Sequence, residues 1–150
     1  MKPDQGMSLI VKTVTCWINS FIFLFGIYVM LFGHITPGGG FPGGVIIACS
    51  FILITLAAGK ECALKLFSLD DASVVDSFSI FLFLFIGFLG LILGNYFLQN
   101  FMAAGEPFRL PSAGTIVLNN VAIGLKVGAA IFAMFMYLSL FRLDEGEETE

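Results

Sequence analysis

Four long apolar runs, at about residues 14–32, 41–59, 74–97 and 115–141, constrain this chain more than any other feature. Each is long enough, at 1.5 Å per residue, to cross a hydrocarbon core about 30 Å thick as a helix. In lipid a backbone must satisfy its own hydrogen bonds, and runs without strict alternation do so as helices. The sequence therefore predicts an all-α integral membrane protein: one membrane domain over residues 1–150 with four transmembrane helices. The composition agrees. The chain is 58% hydrophobic and 12% charged, where a soluble domain carries about 25% charged residues. The runs leave no room for a separate soluble domain, so soluble chemistry belongs to partner chains. Lys2 and Lys12 before the first run mimic a signal peptide. That run is longer than a signal h-region and no small-residue cleavage site follows, so it reads as a retained helix.

Four spans put both termini on one face of the membrane. That face carries Lys2, Lys12, Lys60, Lys65 and Arg142, and the other carries Arg109 and His34. The positive-inside rule then predicts both termini cytoplasmic, in a multi-pass protein of the cell membrane. The connection from Lys60 to Ser73 has room for a short interfacial helix through residues 63–67. The connection from Gln99 to Gly114 is long for a turn and is expected to pack on something. The acidic tail 144–150 reads as a solvated end. The net charge of −4, without a basic cluster, argues against nucleic acid as a partner.

Between the first two runs lies Gly33-His34-Ile35-Thr36-Pro37-Gly38-Gly39-Gly40-Phe41-Pro42-Gly43-Gly44. Gly38, Gly40 and Gly43 match G-x-G-x-x-G, but no strand precedes them and no acid follows at the spacing that a dinucleotide site needs. Two readings stay open: a tight extramembrane turn, or an element that re-enters the membrane or packs closely against a partner helix. Gly40, Gly44 and Ala48 recur every four residues, which puts small residues on one helix face for close packing. Gly87, Gly90 and Gly94 offer a second such face. Phe78, Phe81, Phe85 and Phe88 form an aromatic stripe facing lipid or core. A quinone groove there has no polar neighbour to support it.

Lys126 stands out as an ionisable residue deep in a span, about 16 Å from the outer end of its helix. Such a charge is expensive and by default marks a pair or a pathway. Asn119, Ala122, Ala129, Ala130 and Ala133 share its face, while Gly124 and Gly128 project the other way. Small residues on both faces predict a helix buried between neighbours, an arrangement hard to build within one four-helix chain. Asp76, at the predicted start of the third span, is placed out of reach of Lys126. The expected partner is an acid of another chain, water, or helix-end carbonyls. Cys16, Cys49 and Cys62 have neither metal-ligand spacing nor a histidine nearby. No catalytic set, metal cluster or cofactor site is expected.

The stretch Gly33-His34-x-x-Pro37-Gly38-Gly39-Gly40-Phe41-x-Gly43-Gly44 resembles the MnhB (MrpB) subunit of Mrp-type multisubunit Na+/H+ antiporters. Asn120-Val121-Ala122-Ile123-Gly124-Leu125-Lys126-Val127-Gly128-Ala129 is similar to that family's last-helix pattern. The resemblance covers nearly the whole chain. It implies a membrane subunit of a sodium/proton antiporter module, within an Mrp-type antiporter or an archaeal membrane-bound hydrogenase or sulfur-reducing complex. Its implied partners are the other membrane subunits and the lipid bilayer, with Na+ and H+ as transported ions. Lys126, Asn119 and His34 are then ion-pathway candidates. Pro37, Gly38, Gly39, Gly40, Phe41, Gly43, Gly44, Gly124 and Gly128 are packing and loop positions. The alternative is a structural scaffold with no ion-conducting role. A small homo-oligomeric channel ranks last, because polar residues in the spans are few.

Overall fold

The structure, a computed structural model, describes residues 7–102, 105 and 110–147. Helix α1 (Leu9–Phe32) turns through residues 33–39 into α2 (Gly40–Ala58). A short helix, α3 (Lys60–Leu66), leads into α4 (Leu69–Leu93), and a 3-10 turn at Leu110–Ala113 precedes α5 (Thr115–Glu147). All regular structure among the described residues is helical. Four helices are long and apolar enough to cross a membrane: α1, α2, α4, and α5 as far as Leu140. In space the order is α1, α2, α5, α4, so the last helix in sequence sits between the second and the fourth. Successive spans run antiparallel. Residues 9, 58, 69 and 140 therefore lie at one end, the termini end, and residues 32, 40, 93 and 115 at the other, the turn end.

The Gly/Pro stretch resolves into a turn followed by a helix start. Residues 33–37 form the turn and Gly40 opens α2. Gly39 has φ +144°, a conformation open to glycine. A Cβ on Gly33 would collide with the Gly39 backbone, so the two limbs of the turn touch there.

The α2–α5 contact is built on backbone. A Cβ added at Gly40 would strike the Asn120 carbonyl oxygen, and one at Gly44 would lie 2.5 Å from the Gly124 carbonyl oxygen and 2.9 Å from Val127 Cβ. Ala48, one turn further, is fully buried. Gly43 faces α1 instead, 2.8 Å from the Met30 backbone nitrogen when given a Cβ. Without a hydrophobic driving force between helices in lipid, close backbone packing of this kind holds spans together.

Two helices start earlier than the apolar runs do. α1 begins at Leu9 and α4 at Leu69. For α4 the cause is a capping box: the Asp71 amide donates to Ser68 Oγ at 3.0 Å, and the Ser68 amide donates to Asp71 Oδ2 at 3.3 Å. Asp70 and Asp71 also suit the positive end of the helix dipole. α5 runs on to Glu147, so residues 144–147 of the acidic stretch are helical; residues 148–150 lie outside the described residues.

The core lies towards the termini end. Ala72, Ala129, Phe132 and Met136 form its buried centre, and α3 lays Leu64 against it as a lid, followed by Phe67. Phe51, Phe67 and Phe132 make a triangle with ring centroids 5.3–5.6 Å apart. The Lys60 ammonium donates to the Ser139 carbonyl and ties the α2–α3 junction to α5.

One packing expectation needs correction. Both small faces of α5 are used inside this one chain, by α2 and by α4, so they do not require a neighbouring subunit. The glycine face of α4 is closely packed, by a returning segment rather than by a helix among the described residues. The chain beyond α4 folds back over it, so that a Cβ on Gly87 would meet the Phe97 ring and one on Gly90 would lie 2.9 Å from the Gln99 backbone. The Gln99 side chain accepts from the amides of Asn95 and Tyr96, at 2.9 and 3.1 Å, and fixes that return.

Candidate functional site: a lysine–aspartate pair at membrane depth

Asp76 and Lys126 enter the bundle from opposite ends. With α4 starting at Leu69, Asp76 lies seven residues in, about 10 Å along the axis. Lys126 lies eleven residues into α5, about 16 Å from its start. The two helices are antiparallel neighbours, and the side chains meet: Lys126 Nζ donates to Asp76 Oδ1 at 2.7 Å. The expectation that Asp76 is out of reach is therefore wrong. A helix started at Val74, where the apolar run begins, leaves out the five residues that the capping box adds. The apolar run marks only part of the helix, so position along α4 is counted from Leu69.

The pair is not sealed within the chain. The Lys126 side chain is 42% exposed and that of Asp76 32%. Lys126 forms one wall of a groove of about 360 Å³, completed by Ser79, Ile80, Phe83, Ala122 and Ile123. Ser79 is 1% exposed and donates its hydroxyl to the Val75 carbonyl at 2.6 Å, the local back-bond of a serine inside a helix. An ammonium has three donors. Its contact with Asp76 uses one of them. The charges cancel as a pair, and Asp76 stands outside the groove, whose walls are almost wholly apolar.

Asn119 stands seven residues before Lys126 on the same face, about 10 Å along α5. Its Oδ1 is buried and accepts no hydrogen bond. His34 lies half-buried in the α1–α2 turn and does not line the groove. Gly124 and Gly128 are on the opposite, α2 side of α5. A Cβ on Gly124 would strike Met30 Sδ, whereas one on Gly128 would find Gly44 O at 3.4 Å. Pro37, Gly38 and Phe41 are exposed at the turn end.

The structure thus brings Lys126 together with Asp76 and Ser79, two residues that hydropathy and spacing do not pair with it, and leaves His34 apart. The signal that finds Asp76 is Ser68-x-x-Asp71, a capping box variant that moves the helix start back by a turn and more. A second cavity, of about 380 Å³, lies between α1 and α5, lined by Phe23, Ile27, Met30, Phe51, Gly124 and other apolar residues. It offers no polar group for chemistry. The phenylalanine stripe of α4 points outward, 50–65% exposed, and makes no groove. The three cysteines are free and exposed, and no cluster of three metal-ligating side chains occurs among the described residues.

Comparison with known proteins places this architecture. A 37% identical stretch of 120 residues is shared with an uncharacterized protein of Methanocaldococcus jannaschii, covering 76% of this chain and 45% of that protein. A Na(+)/H(+) antiporter subunit of Alkalihalophilus pseudofirmus is 28% identical over 93% of this chain and 94% of its own length. The antiporter subunit of the same name in Bacillus subtilis is 30% identical over 92% and 88%. Among solved structures, a chain of the membrane-bound sulfane sulfur reductase, an archaeal respiratory membrane complex, superposes with a TM-score of 0.71 at 28% identity. That match takes in 90% of this chain and 61% of the reductase chain. The chain therefore spans less than two thirds of two of these relatives and most of the two antiporter subunits. The family profile described as the domain related to the MnhB subunit of Na+/H+ antiporter matches residues 10–133. This multi-pass membrane chain belongs to the MnhB family of antiporter subunits.

Proposed function

We propose that this chain is the MnhB-type membrane subunit of a sodium/proton antiporter module, and that its Lys126–Asp76 pair belongs to the ion route. The observation that carries the reading is the 2.7 Å contact between two ionisable side chains on two helices long and apolar enough to cross a membrane. An arriving cation competes with Lys126 for the Asp76 carboxylate, and a proton delivered to Asp76 releases the ammonium. Either event breaks one charge contact and frees another, which is what coupling two ions requires. Asn119, on the same face, offers the next acceptor toward the turn end. The subunit would sit among other membrane subunits, as a single membrane domain, in an assembly such as an Mrp-type antiporter or a respiratory complex. Lys12, Lys60 and Lys65 support a cytoplasmic location for the termini end.

The test is sodium-dependent proton flux in vesicles holding the assembled complex. Lys126→Ala and Asp76→Asn are expected to lower flux severalfold while the complex remains intact. Unchanged flux in both variants would exclude an ion role.

The scaffold reading has one observation in its favour. The pair bridges α4 and α5 and so also acts as a clamp. The double variant Lys126→Met with Asp76→Leu separates the two roles. It keeps two packed side chains at the contact and removes both charges. A scaffold transports normally with this change, whereas an ion route does not.

A further inference from the structure

Two close helix contacts are made on α2, and they leave a space between them. α1 presses on one side of α2. A Cβ on Gly26 would lie 2.8 Å from Ile47 Cγ1, and one on Gly43 would lie 2.8 Å from the Met30 backbone nitrogen. α5 presses on another side, where a Cβ on Gly44 would lie 2.5 Å from the Gly124 carbonyl oxygen. With each neighbour held at backbone distance from α2, α1 and α5 are not free to close over it. The apolar cavity of about 380 Å³ lies between them. On the α5 side it is lined in part by Gly124 and Gly128, which have no side chains to fill it. Phe51 and Phe67, with ring centroids 5.3 Å apart, line it at the termini end. Phe23 on α1 and Leu125 on α5 also line it, and both are more than a third exposed. The cleft therefore opens sideways, between two helices of membrane-spanning length, onto the bilayer.

We infer that this cleft binds one hydrocarbon chain of a membrane lipid, held between α1 and α5. Polarity, size and rigidity point to that occupant. Every side chain that lines the cleft is apolar, so a water molecule finds none of the polar partners that it needs there. A lipid headgroup or a hydrated ion finds none either. A spanning helix of another chain is too wide. At 10–12 Å across and 5.4 Å per turn, a single helical turn takes roughly 400–600 Å³, more than the whole cavity offers. A hydrocarbon chain fits. An apolar cavity of about 150 Å³ accepts a benzene ring with its six carbons, so this one accepts about fifteen carbons, the content of one lipid tail. Packed interiors do not leave such a volume empty, and the glycine contacts keep this one from closing. The bound chain touches α1 and α5 at once and supplies packing between two spans that meet each other only briefly. The inference needs a bilayer around these helices and nothing from the ion route or the Lys126–Asp76 pair.

The experiment is photo-labelling in the assembled complex. An aliphatic diazirine amino acid, close to isoleucine in size, replaces Ile27 or Ile47 in the cleft. In control chains it replaces Leu24 or Ile92, which are exposed on α1 and α4. The complex is purified and washed in a detergent with a rigid steroid body, then irradiated, and the adducts on this chain are weighed by mass spectrometry. Ile27 and Ile47 are on two helices, so each checks the other if one probe impairs assembly. Both are expected to carry glycerolipid adducts several times more often than the controls, whose surrounding lipid is washed away. Val121→Trp, in the wall of the cleft, should lower the Ile47 adduct severalfold. Water or detergent adducts alone at Ile27 and Ile47 overturn the inference, as does lipid labelling no greater than in the controls. An adduct to a peptide overturns it too, by showing that a side chain of another chain fills the cleft. So does an adduct to an isoprenoid quinone, which makes the occupant a different ligand. Undiminished lipid labelling in Val121→Trp would place the lipid outside the cleft and refute the site.

Discussion

Two glycines on the same helix contact are expected to respond differently to the same added methyl group. In Gly44→Ala the new Cβ lies 2.5 Å from the Gly124 carbonyl oxygen, 2.9 Å from Val127 Cβ and 3.1 Å from Gly124 Cα. Ordinary contact begins near 3.4 Å, so α2 and α5 must separate by roughly 1 Å at this point. Two of those three atoms are backbone and cannot rotate away. Overpacking of this kind destabilises by about 1–3 kcal/mol. In a soluble helix, replacing Gly by Ala returns up to about 1 kcal/mol through helix propensity. In a micelle that gain largely disappears, because an unpacked span is still helical. The steric term wins, and Gly44→Ala should lose about 1–3 kcal/mol. Gly128→Ala is the control: its Cβ would meet nothing closer than Gly44 O at 3.4 Å, and the next atom, on Ile47, is 3.7 Å away. It should be neutral. Unfolding of purified protein in dodecylmaltoside by added dodecyl sulfate, followed by cross-linking of cysteines introduced on α2 and α5, measures both. If Gly44→Ala matches the parent protein while Gly128→Ala is destabilised, the α2–α5 register described above is wrong.

Three further outcomes follow from other contacts. Asp76→Leu leaves Lys126 unpaired at a depth where insertion scales charge about 2.5–3.5 kcal/mol, a figure to be discounted for the 42% exposure of the side chain; the same dodecyl sulfate titration should show a loss that Lys126→Met largely restores, and independent losses would mean that the two residues do not interact. Ser68→Ala removes the α4 cap and should reduce helix stability by about 1 kcal/mol, seen as faster amide exchange at residues 70–72; unchanged exchange there would show that the cap does not set the helix start. Gly90→Ala puts a Cβ 2.9 Å from the Gln99 backbone, so the returning segment should lift away, and a cysteine placed at Gln99 should react faster with maleimide; an unchanged rate would refute that packing.

Much of the architecture is legible in the residues. The four spans, the interfacial helix before α4 and the spacing of Gly40, Gly44 and Ala48 can all be read along the chain, because hydropathy and small-residue periodicity are local properties. The limits of α4 cannot be read from hydropathy. Its first turn is polar, with Asp70 and Asp71 supporting the helix through capping rather than burial. The candidate site is legible by half for the same reason. Lys126 is conspicuous as a charge in an apolar run, while Asp76 hides among the acids of a helix start. The use of both small faces of α5 within one chain depends on α5 packing between α2 and α4, and this spatial order is a tertiary fact that no periodicity carries.

Asp76 and Lys126 are 50 residues apart in the chain. At a synthesis rate of about 5–20 residues per second, Asp76 precedes its partner by roughly 3–10 s. The two helices that complete each other at this contact are not adjacent in time. Through that interval Asp76 stands on the α5-facing side of α4 without its Lys126 partner. Assembly of this bundle is therefore gated by its last helix: α5 brings both the cation that pairs with Asp76 and the backbone that α2 packs on. A chain truncated before residue 126 lacks this contact entirely.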